Sequence, residues 1–366
     1  MRAALIHDWL TGMRGGERML ELIGSIVPEA PIHTLFHFKG QVSAEIESHP
    51  IRTSFLQRAP GLKKHYRRYL PLFPAAIEDF DLSPFDLLVS SSHCVAKGAI
   101  PAPGARHICY CFTPMRYAWD QEHAYFPRRK GIIARLRNLA LTRLRAWDAA
   151  SSPRVDRFVA ISRFVAARIR RYYGREAEVI SPAADTAFFV PGEGNHGNYC
   201  VAIAALVPYK RLELASMACA QVGIELRVIG DGPDRGRLER QAGAGTRFLG
   251  RVERERLRHE LRGALCLVQP GVEDFGIAAV EALACGTPVV ALGHGGVLDI
   301  VRDGEDGILY EDANVDALAA AIDKARQIRF NYLNLRSRAE EFSTAVFVER
   351  FRSLIAREGP VEGPTA

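Results

Sequence analysis

The sequence predicts an α/β chain built as two parallel-sheet units in tandem. Short apolar runs alternate with longer amphipathic stretches from one end to the other. The alternation restarts after a segment rich in Pro, Gly, Asn and Asp at 182–198. A length of 366 residues exceeds one ordinary domain and suits two.

In the first unit, residues 3–8 (AALIHD) read as a buried strand, 12–16 as a glycine turn and 17–27 as a helix. Residues 86–90, 107–111 and 158–161 are the next strands. In the second unit the strands are 199–206, 226–229, 264–269 and 288–292, with helices starting at Lys210, Asp234 and Gly276. Such Rossmann-like units bind ligands at the carboxyl ends of their strands, and two of them leave a cleft. The expected domains are 1–188 and 189–342, with an amphipathic stretch at 343–357 crossing back to the first.

Apolar residues make up 48% and charged residues 25%, a globular balance. No apolar run reaches the ~20 residues of a membrane span, and the glycine-interrupted N-terminal segment does not read as a signal peptide. Seven scattered cysteines without C-x-x-C spacing suggest buried, reduced thiols and a cytoplasmic protein. The net charge of +6 is unevenly spread. Residues 1–188 carry 27 basic and 17 acidic side chains, and the remainder 21 and 25, so an anionic partner is expected on the first half.

The strongest chemical signal is the run of Glu273, Asp274, Phe275, Gly276 and Ile277, followed by Glu281 in the next helix. Gly276 lets the backbone approach a ligand, and the free N–H groups of a helix start suit a diphosphate. Carboxylates accept hydrogen bonds from vicinal hydroxyls of a sugar or ribose. The plainer alternative is that Glu273 and Asp274 only enrich a helix N-terminus. Gly230, Gly232 and Gly236 fit a tight βα turn better than a dinucleotide fingerprint, because Pro233 interrupts them.

Together with 281–291 (EALACGTPVVA), Gly295, Gly296, 304–309, 206–211 (LVPYKR) and 228–233 (VIGDGP), this run resembles the donor-binding half of the group-1 (family four) glycosyltransferases. In the first half, 90–98 (SSSHCVAKG) and 113–120 (TPMRYAWD) resemble the branch of O-antigen and exopolysaccharide mannosyltransferases. The resemblance covers roughly 3–355 and implies a two-domain GT-B fold and a retaining, metal-independent reaction with no cofactor.

Carried over, it implies that Glu273 holds donor-sugar hydroxyls, Glu281 the ribose, and the backbone at Phe275, Gly276 and Ile277 the sugar and diphosphate, with Asp274 and Gly230 bordering them. Lys210 neutralises the leaving diphosphate in place of a metal. Gly15 and Gly16 cap the phosphate from the other side, and Arg251 and Val252 pack the base. Two positions depart from the pattern. Ala205 stands where an Arg is common, with Arg211 as a substitute, and Phe112 stands where a His is common, with His93 and His123 as replacements.

Residues 51–77 hold Arg52, Arg58, Lys63, Lys64, Arg67 and Arg68 without an acid, interleaved with Tyr66, Tyr69, Leu70, Leu72 and Phe73. Residues 127–147 hold seven more cations, among them Arg128, Arg129 and Lys130, again without an acid, with Ile133, Leu136, Ala140, Leu144 and Trp147 at helical spacing. Such segments suit an anionic inner-leaflet surface and a polyprenyl-pyrophosphate-linked glycan acceptor, with Arg116, Tyr117 and Trp119 on that side. Alternatively, the stripe at 133–147 packs into the core. No nucleic-acid module is present. The branch resemblance implies transfer of mannose from GDP-mannose, and the expected route is same-face attack with the leaving phosphate taking the acceptor proton. The rival classes are an epimerase or hydrolase of nucleotide sugars, and a non-catalytic nucleotide-sugar-binding protein.

Overall fold

The computed structural model describes residues 1–120, 131–192, 197–243 and 245–358, without the side chains of Ile132, Ile133 and Leu136. His123, Arg128, Arg129 and Lys130 lie outside the described residues. The chain divides into two compact units, one formed by Met1–Ser181 with the C-terminal residues from Phe347, the other by Pro182–Val346.

The first unit holds a seven-stranded sheet of β1 (Ala3–His7), β2 (Ile32–Thr34), β3 (Ile51–Thr53), β4 (Leu87–Ser92), β5 (Arg106–Cys111), β6 (Arg157–Ala160) and β7 (Ala177–Val179). Their order is β3-β2-β1-β4-β5-β6-β7, and every pairing is parallel. Strands covered on both faces read as continuous apolar runs, which is why Leu5, Ile6, Leu88, Val89, Ile108 and Tyr110 are all buried. The main helices are α1 (Gly15–Ile26), α2 (Ile132–Ala150), α3 (Arg163–Tyr173) and a C-terminal helix, Thr344–Glu358. Phe347 and Phe351 of that last helix lie edge-on to Tyr110 at 5.6 and 5.7 Å, and Arg357 pairs with Glu178 at 3.0 Å.

The second unit holds β8 (Tyr199–Ile203), β9 (Glu225–Ile229), β10 (Thr246–Gly250), β11 (Cys266–Gln269), β12 (Val289–Leu292) and β13 (Gly307–Tyr310) in the order β10-β9-β8-β11-β12-β13, again all parallel. In each sheet the strand order turns back at one place: between β1 and β4 in the first, between β8 and β11 in the second. Loops leaving the two neighbouring strands there diverge, which opens a crevice at their carboxyl ends.

The units part at Ser181 and Phe347 rather than at 188 and 343. The segment from Pro182 is no free linker. Ala184 bridges to Ser343, Phe189 is buried, and the Arg258 and Arg262 side chains donate to the Phe188 and Val190 carbonyls at 3.1 and 2.7 Å.

All seven cysteines are buried and free. Among the described residues no helix is long and apolar enough to cross a membrane. On α2 the buried face is Ala134, Leu141, Leu144 and Asp148, while Leu139 and Ala140 face solvent. The expected stripe is therefore corrected: Ala140 lies outside it, and Trp147 turns inward to donate to Glu78 at 2.7 Å. Tyr66 and Phe73 likewise pack on Trp9, at 5.8 and 5.7 Å. The large apolar side chains left exposed in that basic segment are Phe55 and Leu72.

Candidate active site

The second unit brings the two central residues together at its switch point. Lys210 ends a short 3-10 turn, Pro208–Lys210, in the loop after β8, and Glu273 lies in the loop after β11. The Lys210 ammonium and the Glu273 carboxylate form an ion pair, with 13% and 16% of the two side chains exposed. The pair is half-sheltered, so each charge is worth more to the other than on an open surface, yet both remain within reach of a ligand.

Close backbone packing fixes the two loops. A Cβ on Gly271 would fall 2.8 Å from the Lys210 Cα, so the second loop presses directly on the first. Glu273 bridges to Gly295, and its carbonyl accepts from the Gly296 N–H at 2.8 Å. Gly230 and Gly232, in the turn after β9, press on the backbone of residues 204–206 and thereby shape the segment leading to Lys210.

The helix that follows the acidic loop runs from Ile277 to Ala284 (α4). Gly276 stands at its N-cap with φ 106°, a conformation an L side chain rarely adopts, and the Gln269 amide lies 3.1 Å from where a Cβ would sit. The first N–H groups of a helix lack partners four residues back and present a partial positive charge; here the Ala279 N–H donates to the Gly276 carbonyl at 2.8 Å, leaving the positions before it at the helix start. The Phe275 ring is buried against Phe342 at 5.6 Å, so only its backbone stays near the loop, and the Asp274 side chain is buried as well. Glu281 is half-buried on α4. Arg251 is exposed and Val252 half-buried in the link after β10.

Arg211 is the only non-glycine with positive φ among the described residues, at 52°. This left-handed turn sends its guanidinium to the Ala313 carbonyl at 3.0 Å. The expected second charge beside Lys210 is therefore directed to the Ala313 backbone, and Ala205 is exposed.

In the first unit, α1 starts at Gly15, so Gly15 and Gly16 supply the first helical N–H groups rather than a preceding turn. A Cβ on Gly15 would meet nothing, while one on Gly16 would lie 3.5 Å from the Phe112 ring. Phe112 and His93 are neighbours, with ring centroids 6.5 Å apart.

Arg116 is half-buried, and the polar ends of the other two residues expected on the acceptor or membrane side turn inward. Tyr117 bonds the Cys94 thiol, and Trp119 donates to Asp148 at 2.7 Å. Arg168, itself buried, holds Thr113 and Asp120 at the ends of the same segment. Lys97 is also internal. Its ammonium reaches the Asp148 carboxylate at 3.1 Å and Ser151 at 2.7 Å. Lys63, Lys64, Arg67 and Arg68 are exposed.

Sequence reasoning missed Asp8. It looks like the end of a strand, yet it is fully buried and accepts from the backbone N–H groups of residues 93–96. Burial pushes its carboxyl up, but the His93 imidazole, His7 and the His93 main-chain N–H together outweigh that and hold it at about 2. The one available signal was an acid just after a buried strand.

Comparison with known proteins gives this architecture its class. Residues 184–343 match the family "Glycosyl transferases group 1", and residues 33–188 match "Glycosyltransferase Family 4". Together the two matches run from residue 33 to residue 343, so each half of the chain is similar to a glycosyltransferase domain.

Among curated relatives, a D-inositol 3-phosphate glycosyltransferase of Geodermatophilus obscurus is 32% identical over 200 residues, covering 46% of this chain and 44% of the relative. An uncharacterized glycosyltransferase of Methanocaldococcus jannaschii is 28% identical over 172 residues, covering 46% and 48%. The chain thus spans less than half the length of these relatives. Among solved structures, Anabaena HepE in complex with UDP-glucose has a TM-score of 0.73 at 16% identity, covering 98% of this chain and 100% of that one. Sucrose-phosphate synthase from Thermosynechococcus elongatus also reaches 0.73, at 17% identity, covering 98% and 99%. Likeness at such identities shows the fold: α/β, two Rossmann-like domains of the GT-B class.

Proposed function

We propose that the chain is a retaining glycosyltransferase that transfers a hexose from a nucleoside diphosphate sugar to a hydroxyl of an acceptor. The observation that carries this reading is the Lys210–Glu273 pair at the switch point of the second sheet, next to the glycine-capped start of α4. In this reading the diphosphate lies against Lys210 and the free N–H groups of α4. Departure of the phosphate leaves negative charge there and oxocarbenium character on the sugar, and preorganised cations stabilise the first. Glu273 fixes sugar hydroxyls and Glu281 the ribose.

A Glu273 carboxylate occupied with sugar hydroxyls does not stand beneath the anomeric carbon as a nucleophile, which favours same-face attack over a covalent glycosyl intermediate. The leaving phosphate oxygen then takes the acceptor proton. Lys210 supplies the positive charge a metal ion would otherwise bring.

For the donor, the motifs of the first half support GDP-mannose. The neighbours solved with UDP and UDP-glucose support a uridine donor as a second reading. For the acceptor we propose a polyprenyl-pyrophosphate-linked glycan in cell-surface polysaccharide synthesis. The protein would sit in the cytoplasm against the inner leaflet, which the exposed cations of 52–68 and the exposed Phe55 and Leu72 support.

The test offers GDP-, UDP- and ADP-sugars with and without lipid-pyrophosphate-linked acceptors, in the presence and absence of a chelator. Transfer that needs an acceptor and survives the chelator supports the reading. Turnover of donor alone would show an epimerase or hydrolase, and binding without turnover a non-catalytic protein.

A further inference from the structure

In the second unit the helices Leu212–Gln221 and Arg235–Gln241 follow β8 and β9. Between these helices and the strands β9 and β10 lies a cavity of about 400 Å³, a size within the range of small-molecule sites. It lies wholly inside the second unit and takes no residue from the loops that carry Lys210 and Glu273.

The interior of the cavity is apolar. Val228 of β9 and Phe248 of β10 line it from the sheet, and Leu212 and Leu238 from the two helices. Met217 also lines it, with 55% of the residue exposed. An unbranched thioether in that position adapts its shape to an aromatic ring and makes favourable contacts with it.

The polar groups of the lining select against an anion. Arg237 is the one cation among them, and it is already committed. It donates to Asp234 and to Gln241, both at 2.8 Å, and reaches Glu213 at 3.4 Å. Two carboxylates thus share one guanidinium, which leaves negative charge in excess. Ser216 and Thr246 bond each other through their hydroxyls at 2.8 Å. That bond spends one hydrogen and leaves lone pairs on both oxygens. Glu213 and Ser216 are three residues apart and share one face of their helix. Carboxylate and hydroxyl lone pairs side by side call for a ligand that donates.

We propose that this cavity is a binding site for a small aromatic amine. The ring lies among Leu212, Leu238, Phe248 and Met217, and its ammonium or N–H group meets Glu213 and the Ser216–Thr246 hydroxyls. Burial of the ring supplies the affinity, and the acceptors supply the orientation. Binding there is independent of the transferase reading.

The chain has five methionines, of which only Met217 falls in the second unit. Its 13C-labelled methyl group in the full chain is therefore a local reporter. Tryptamine, indole and indole-3-acetate share one ring and differ in charge. Tryptamine should shift the Met217 methyl resonance saturably and bind about fivefold or more tighter than indole-3-acetate, and the gap should narrow at high salt. Glu213→Gln should bring the two affinities together. Ala242→Phe, at a half-buried position of the lining, should fill the cavity and abolish the shift. GDP or UDP in excess should leave the tryptamine shift in place.

No saturable shift of Met217 with any of the three probes overturns the site, and so does a shift that survives in a folded Ala242→Phe. Displacement by GDP or UDP assigns the ring to the nucleotide's place and overturns it too. Equal or tighter binding of indole-3-acetate, or a preference unchanged in Glu213→Gln, overturns the amine as the ligand class. Should Ala242→Phe not fold, the titrations of the native protein and of Glu213→Gln decide. If calorimetry finds no binding of any nucleotide, the transferase reading falls, while the Met217 titration still decides this site.

Discussion

The Lys210 ammonium and the Glu273 carboxylate neutralise each other across the loops that follow β8 and β11. A diphosphate arriving at this place competes with Glu273 for Lys210, so the two residues oppose each other in binding before they cooperate in transfer. Lys210→Ala is expected to lower kcat by at least about 10²-fold and to weaken binding of the nucleoside diphosphate. Glu273→Gln should also cut transfer, but it should tighten the nucleoside diphosphate by releasing Lys210, about several-fold. Calorimetry with GDP and UDP beside single-turnover transfer separates the two. Equal losses of affinity in both variants would contradict the competition.

Glu281 stands half-buried on α4, on the helix whose first N–H groups face the proposed diphosphate. Glu281→Ala should weaken nucleotide binding by about tenfold or more, the worth of one charge-assisted hydrogen bond, and should leave the kcat of bound donor nearly unchanged. An unaltered dissociation constant for the nucleotide would remove the ribose assignment.

Acid should act on the first unit in two stages. Burial holds the His107 imidazole at about 4, against 6.5 for a free ring, and burial followed by the charge of Arg52 holds His33 at about 4. A histidine with a depressed folded-state pKa stabilises fully above 6.5 and loses that contribution as pH falls toward 4, about 3 kcal/mol per ring. Asp8, held at about 2 against 3.8, keeps its contribution down to about 3.8 and loses it only below, about 2 kcal/mol. Denaturant midpoints of the first unit should therefore start to fall near neutrality and fall again in strong acid. His107→Gln should flatten the first stage only; an unchanged slope would show that burial of His107 is not its source.

If the exposed cations at 63–68 face lipid, replacing Lys63, Lys64, Arg67 and Arg68 with Ser should weaken binding to phosphatidylglycerol vesicles by about 1 kcal/mol per cation. Leu72→Ser should weaken it on neutral and anionic vesicles alike, because Leu72 acts through apolar area. Transfer to a short soluble acceptor should be spared. Cosedimentation that ignores all of these changes would leave the first unit without a lipid face.

The buried strands were legible because their composition announces them. Residues 86–90 and 107–111 are mainly apolar runs, and the strands they form are buried along their length. The three-residue strands Ile32–Thr34, Ile51–Thr53 and Ala177–Val179 were not, because so short a run has no period and exists only by pairing with its neighbour. The Glu273 loop could be read from spacing, since a strand, an acidic loop and a glycine-capped helix follow in order. Its partner's geometry could not. Nothing local marks Arg211 for a left-handed turn toward Ala313, or Tyr117 and Trp119 for bonds to Cys94 and Asp148. Asp8 was hidden for the same reason, since its bonds go to residues more than eighty positions away.

The bridge from Ala184 to Ser343, with the Ala184 N–H donating to the Phe342 carbonyl at 2.9 Å, puts the way in and the way out of the six-stranded unit side by side. That unit is a detour in the thread of the seven-stranded one, which reclaims the chain with Phe347 and Phe351. Residues 182–346 could thus be cut out between Ser181 and Phe347 without removing any of the seven strands of the first sheet.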